Sequence, residues 1–188
     1  MTYKEEFISY LKNTFGNLDA EYSEETHVQS TLFWNAIELS KSRNQNERVL
    51  SIVLCHQSSI ELMKRLIVYS NFLVKLLVYP SEIKFKKIKD NDSYSTIINA
   101  LENHISFEKK ESLLNQIRKL NKVRTKVSHY FFKEDFEIFS FEEANKNSQL
   151  FESIFKTFEI GILDLGNKIK SAKSRKELTE LLSNDEQN

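Results

Sequence analysis

The sequence predicts an all-α fold, a bundle of about five to seven helices with long central helices. Three observations predict it. Only three glycines and one proline occur in 188 residues, too few for the hairpin turns of a many-stranded sheet protein. Apolar residues recur at three- and four-residue intervals over long stretches, the period of a helix with one buried face. Aliphatic and aromatic residues make up 40% of the chain against 29% charged, the balance of a folded globular protein rather than a disordered one. The length fits one domain over residues 1–188.

The elements follow in order. Residues 3–15 carry Phe7, Ile8, Leu11 and Phe15 at helical spacing, and Gly16 stands where a left-handed cap would sit. A second helix starts at Ser23, a residue suited to N-capping, with Glu24 and Glu25 in the first turn; it carries Val28, Leu32, Trp34, Ile37 and Leu39 towards Lys41. Polar SKSRNQN then makes a loop or kink. Residues 47–79 form the longest apolar stretch and the central helix, through Val49, Ile52, Val53, Ile60, Met63, Ile67, Phe72, Leu76 and Leu77. Glu61, Lys64, Arg65 and Lys75 keep a polar edge on it. Pro80 ends this helix. SEIKFKKIKDND, with Lys84, Lys86, Lys87 and Lys89, reads as an exposed basic loop before a short helix over 93–105.

The next long helix starts at Ser106 or Phe107 and runs to Phe132. EDFEIFSFEE after it alternates phenylalanine and isoleucine with polar residues, as a short extended piece does. Ser140 and Glu143 make a capping box for a long helix over 141–170, through Leu150, Ile154, Phe158, Ile162 and Leu165. A last short helix spans 175–182.

Composition narrows the function classes. The 27 basic and 27 acidic residues cancel, so any site for a polyanion must be local. The single cysteine, Cys55, excludes an intrachain disulfide and sits in an apolar run as a small core residue, in keeping with a reducing cytoplasm. MTYKEEFISYLKNTF lacks a signal-peptide apolar core, and no apolar run is long enough to span a bilayer, so a soluble cytoplasmic protein without membrane contact is expected. His27, His56, His104 and His129 show no close metal-ligand spacing with carboxylates or with Cys55, and neither a metal nor another cofactor is expected.

One stretch breaks the helical pattern. In LNKVRTKVSHYFF, Leu113, Ile117, Leu120, Val127 and Phe131 make an apolar stripe, and Arg124 falls inside its arc, off the solvated face. A guanidinium there needs an acid, a carbonyl cluster, a wet cleft or an anion. His129, about 140° further round, lies on the side of Arg118, Lys122 and Thr125, one turn from the Thr125 hydroxyl. Within one straight helix Arg124 and His129 do not converge on one atom. Either they are unrelated, or the helix lines a groove shared with a second copy, so that a homodimer surrounds one substrate. Between Glu111 and Glu134 there is no acid, while Arg118, Lys119, Lys122, Arg124 and Lys126 supply basic groups along which a polyphosphate backbone could lie.

Two bland readings stand beside these. Arg124 could snorkel to Glu61, and His129 could be an ordinary histidine at a helix C-terminus. The fourteen phenylalanines and Trp34 read as packing residues, and the lysines of the 81–92 loop as solvated.

These residues resemble the signature of the HEPN family, small, usually dimeric all-α modules: an arginine, a spacer of four to six residues and a histidine near the end of a late helix. Arg124, TKVS and His129 fit the four-residue spacer. HQSSIELMKRLIVY, residues 56–69, is similar to the family's early core helix, in which a glutamate precedes a lysine on an apolar background. In outline the resemblance spans residues 46–170, the core of a single HEPN-like domain, with N-terminal helices over 1–45 and the short C-terminal helix outside it.

Two departures stand out. Thr125 occupies a position that is most often asparagine or another polar group in active members, keeping a hydroxyl and losing the amide. Phe131, with Tyr130 beside it, stands where toxins silenced by a nucleotidyltransferase carry the modified tyrosine. The resemblance implies metal-independent RNA cleavage, with the ribose 2′-hydroxyl attacking the adjacent phosphate. His129 is then the general base or acid, Arg124 holds the phosphate, and Thr125 and Glu61 support them. It further implies a toxin or phage-defence effector with an antitoxin or regulatory protein as partner. The alternative is a catalytically inactive helical dimer of the same fold that binds a nucleotide, RNA or a protein.

Overall fold

The computed structural model describes residues 24–78, 81–130 and 141–172. Within them the chain forms five α-helices and no strand: α1 (Glu24–Ser40), α2 (Gln45–Val78), α3 (Tyr94–Glu102), α4 (Lys110–Tyr130) and α5 (Phe141–Ala172). The all-α expectation holds. The helices expected over 3–15 and 175–182, the extended piece around Phe136, and Phe131 lie outside the described residues.

α2 is the axis of the bundle, about 50 Å long at helical rise, and it packs against all four other helices. Its buried face carries Val49, Ile52, Cys55, Leu62, Met63, Leu66, Ile67, Phe72, Leu73 and Leu76. Val53 and Leu77, expected in the core, are exposed because they fall off this face. α1 turns back on α2 through a tight connection, in which Asn44 caps α2 by accepting from the Asn46 amide (2.9 Å) and Ser42 Oγ accepts from the Asn44 amide (3.0 Å). The face that α1 buries is Phe33, Ala36, Ile37 and Ser40, rather than one containing Val28 and Trp34. Both of those are about half exposed, at 53% and 52%, and Trp34 reaches inward only to set its edge on Phe155, 5.9 Å between centroids.

The basic segment between α2 and α3 is less solvated than its composition suggests. Lys84, Lys86, Lys87 and Lys89 are exposed, but Ile83 before them and Phe85 and Ile88 between them are half-buried, and Ile88 packs against the core. Ser93 caps α3, its Oγ accepting from the Thr96 amide at 3.2 Å.

α3 ends three residues early and α4 starts later than expected, for a reason visible in the connection. Lys109 takes a left-handed conformation (φ 63°), which breaks the helix ahead of Lys110. Lys110 is buried, and its Nζ donates to the carbonyls of Glu102 (2.8 Å) and His104 (2.6 Å), so a cation satisfies the open end of α3. Phe107, in the same connection, packs on α5 where Gly161 leaves room: a Cβ there would lie 2.9 Å from the Phe107 ring. Asp164 of α5 accepts from the Glu108 amide at 3.0 Å and from Lys168 Nζ at 2.6 Å, which fastens the connection and holds its carboxyl below the usual range.

Candidate functional site

The seam of α4 is built as its sequence pattern requires up to a point. Leu113, Leu114, Ile117 and Leu120 are fully buried between α2 and α5, and Gln116 Nε2 donates to Ser153 Oγ of α5 at 2.8 Å. Past Leu120 the seam opens. Val123 is half-buried, Arg124 is exposed, and Val127 returns to the core. Arg124 therefore keeps a solvated charge although it lies in line with the stripe, which corrects its expected placement off the solvated face. A side chain as long as arginine lifts its guanidinium out of the seam wherever the neighbouring helix leaves a gap.

The end of α4 is a basic, open surface. Lys119, Lys122, Arg124, Thr125, Lys126, Ser128 and His129 are all exposed. Arg118, expected among the RNA-binding residues with Lys122 and Lys126, is partly committed to the fold through an ion pair with Glu102 of α3 (2.7 Å). Arg124 and His129 both reach solvent but project from different faces, about 140° and 7.5 Å apart along a straight helix. The chain by itself does not bring them together.

The two supporting residues are engaged elsewhere. Thr125 Oγ1 donates to the Asn121 carbonyl at 2.8 Å, so its proton is held by its own helix and towards His129 the hydroxyl can only accept. Ser128 Oγ donates likewise to the Arg124 carbonyl (3.1 Å). Glu61 meets Lys64, one turn along α2, at 3.2 Å, and no ion pair joins it to Arg124 among the described residues.

The group on which the Arg124 charge acts is His56 of α2, which the sequence did not single out. Its ring stacks on Tyr94 of α3, with centroids 4.0 Å apart and planes 23° apart. Tyr94 is fixed in turn: Ser59 Oγ donates its one proton to the His56 carbonyl (2.7 Å), so in the 2.9 Å contact between Ser59 Oγ and Tyr94 Oη the tyrosine is the donor. Burial raises the Tyr94 phenol pKa above its ordinary range. Burial and then the Arg124 guanidinium push the His56 imidazole down to about 4, against the opposing contact from the Asn121 side chain. His56 is thus neutral at physiological pH, and its buried Nε2 has no hydrogen-bond partner among the described residues.

Cys55 beside it is fully buried with its thiol pushed up by desolvation, as suits a core residue. The signal for this cluster was in the sequence: HQSS, residues 56–59, puts four polar residues in a row inside the longest apolar stretch. Among the described residues no group of His, Cys, Asp and Glu side chains could hold a metal ion, and no helix is long and apolar enough to cross a membrane.

No family model, curated protein or solved structure matches this chain.

Proposed function

We propose that this chain is a metal-independent endoribonuclease of the HEPN type, acting as a homodimer. The observation that carries the reading is the end of α4, where Arg124 and His129 are both exposed on a surface that bears Lys119, Lys122 and Lys126 and no acid between Glu111 and Glu134. An RNA backbone can lie on such a surface, and the chemistry needs only a phosphate-binding cation and a proton-transfer group. The 2′-hydroxyl gives its proton to a neutral imidazole and attacks the adjacent phosphorus. The bond to the 5′-oxygen breaks, that oxygen takes a proton, and a 2′,3′-cyclic phosphate and a 5′-hydroxyl result. Arg124 neutralises the phosphate oxygens as charge builds on them. Since Arg124 and His129 diverge on one helix, the histidine that serves a given Arg124 is the partner subunit's His129. In a cell such an enzyme suits a toxin or a phage-defence effector held in check by a protein partner.

A second reading, a non-catalytic dimer that binds RNA, a nucleotide or a protein, draws support from Thr125, whose hydroxyl proton is spent on the Asn121 carbonyl. Incubation with total tRNA in EDTA separates the two. The enzyme cleaves, and His129→Ala and Arg124→Ala each lower cleavage by at least about a hundredfold. No cleavage by the wild type, or cleavage that survives both substitutions, removes the nuclease reading.

A further inference from the structure

Lys119, Lys122, Lys126 and His129 share one face of α4. At helical spacing they fall within an arc of about 80°, and from Lys119 to His129 they cover about 15 Å of helix axis. All four are exposed. Leu113, Ile117, Leu120 and Val127 are buried on the opposite side, which fixes this face outward, and Arg124 projects from that opposite side. Arg118, on the flank of the lysine face, is drawn aside by Glu102 at 2.7 Å.

The charge pattern of this face differs from that of the other helices. The chain carries an acid about every seven residues, and lysines elsewhere meet one within a turn: Lys41 with Glu38, Lys64 with Glu61, Lys168 with Asp164. The 22 residues between Glu111 and Glu134 hold none, and Lys119 and Lys122 form no ion pair with a described residue. Like charges one turn apart weaken a helix. A face that carries this cost in line with a proton-transfer group suits a polyanion whose charges repeat along its length.

We infer that Lys119, Lys122 and Lys126 form a phosphate track leading to His129, so that the enzyme engages a single RNA strand over about three phosphates on one side of the cut, a step that rests on the nuclease reading. Each lysine meets one phosphate, in the order Lys126, Lys122, Lys119 with distance from the cut. Such contacts read the backbone and not the bases. The strand is unpaired at the cut, because the 2′-hydroxyl must attack in line with the departing 5′-oxygen and an A-form duplex holds the two out of line.

The test uses 2′-O-methyl oligonucleotides with one ribonucleotide at the cut, lengthened by one phosphate at a time on either flank. Single-turnover cleavage by the full chain should speed up about two- to fivefold with each of the first three phosphates on one flank and then level off. Lys119→Ala should remove only the third step. A neutral methylphosphonate at the third phosphate should remove the same step from the wild type and cost Lys119→Ala nothing more. A complementary strand across the ribonucleotide should block the cut. Strands that are 2′-O-methyl throughout cannot be cleaved, and fluorescence anisotropy on them reads the track apart from catalysis: affinity should climb with the same three phosphates, and Lys119→Ala should lose the third. If these strands bind so while no ribonucleotide is cut, the nuclease reading falls and the track stands. Cleavage indifferent to length, equal gains on both flanks, a duplex cut as fast as a single strand, or a Lys119→Ala loss equal at every length overturns the track and leaves the nuclease. No binding and no cleavage overturns both.

Discussion

His56 shows how much one side chain depends on neighbours remote in sequence. Its ring is stacked on Tyr94, and burial together with the Arg124 charge lowers its imidazole pKa from the ordinary 6.5 to about 4. The unfolded chain therefore binds a proton at this residue between those two values while the folded chain does not, so folding is favoured above about pH 6.5 and loses that advantage as pH falls towards 4. With a discount for the ring's partial contact with solvent, acidification across this window should cost on the order of 1–2 kcal/mol. Urea unfolding followed against pH measures it, and His56→Phe should flatten the acid limb. A titration of the His56 ring carbons by NMR with a midpoint near 6.5 instead would refute the buried, neutral assignment.

At the scale of the elements, the connection between α3 and α4 is where side-chain chemistry decides the helix boundaries. Lys110→Met keeps the aliphatic stem and removes the donor that answers the Glu102 and His104 carbonyls; a loss of about 1–3 kcal/mol is expected, read as a lower urea midpoint at unchanged slope. Gly161→Ala tests the packing of the same connection on α5. Alanine favours a helix interior by about 1 kcal/mol, but displacing the Phe107 ring costs about 1–3 kcal/mol, so the variant should melt lower than the wild type. A higher melting temperature would show that Phe107 yields freely.

The periodicity of α1, α2, α4 and α5 was legible in the sequence because a buried face repeats with the helical turn, and most boundaries fell within a few residues. The start of α4 was not, because a left-handed lysine and an ammonium capping another helix leave no periodic trace. Arg124 and His129 could be found as residue types at a spacing. Their exposure, the withdrawal of Glu61 to Lys64 and the arrival of His56 could not, since each depends on which helices pass one another.

For the molecule as a whole, the surface proposed to meet RNA is the basic end of α4. If RNA lies there, Lys122→Ala and Lys126→Ala should each weaken binding about equally for any sequence and lower the slope of log affinity against log salt by about 0.7, the value for one lost phosphate contact on a single strand. Static light scattering at micromolar concentration should give the mass of a dimer, near twice 22.2 kDa. A monomer that still cleaves RNA would remove the need for a shared groove. The sequence alone determined the all-α class, the long central helix and the cluster of cations without acids, because these follow from composition and local period. The tertiary structure alone decided that the charge of Arg124 on α4 acts on a neutral His56 of α2, and that the His56 ring stacks on Tyr94 of α3. Both are juxtapositions of segments distant along the chain, and local sequence carries no energy term that specifies them.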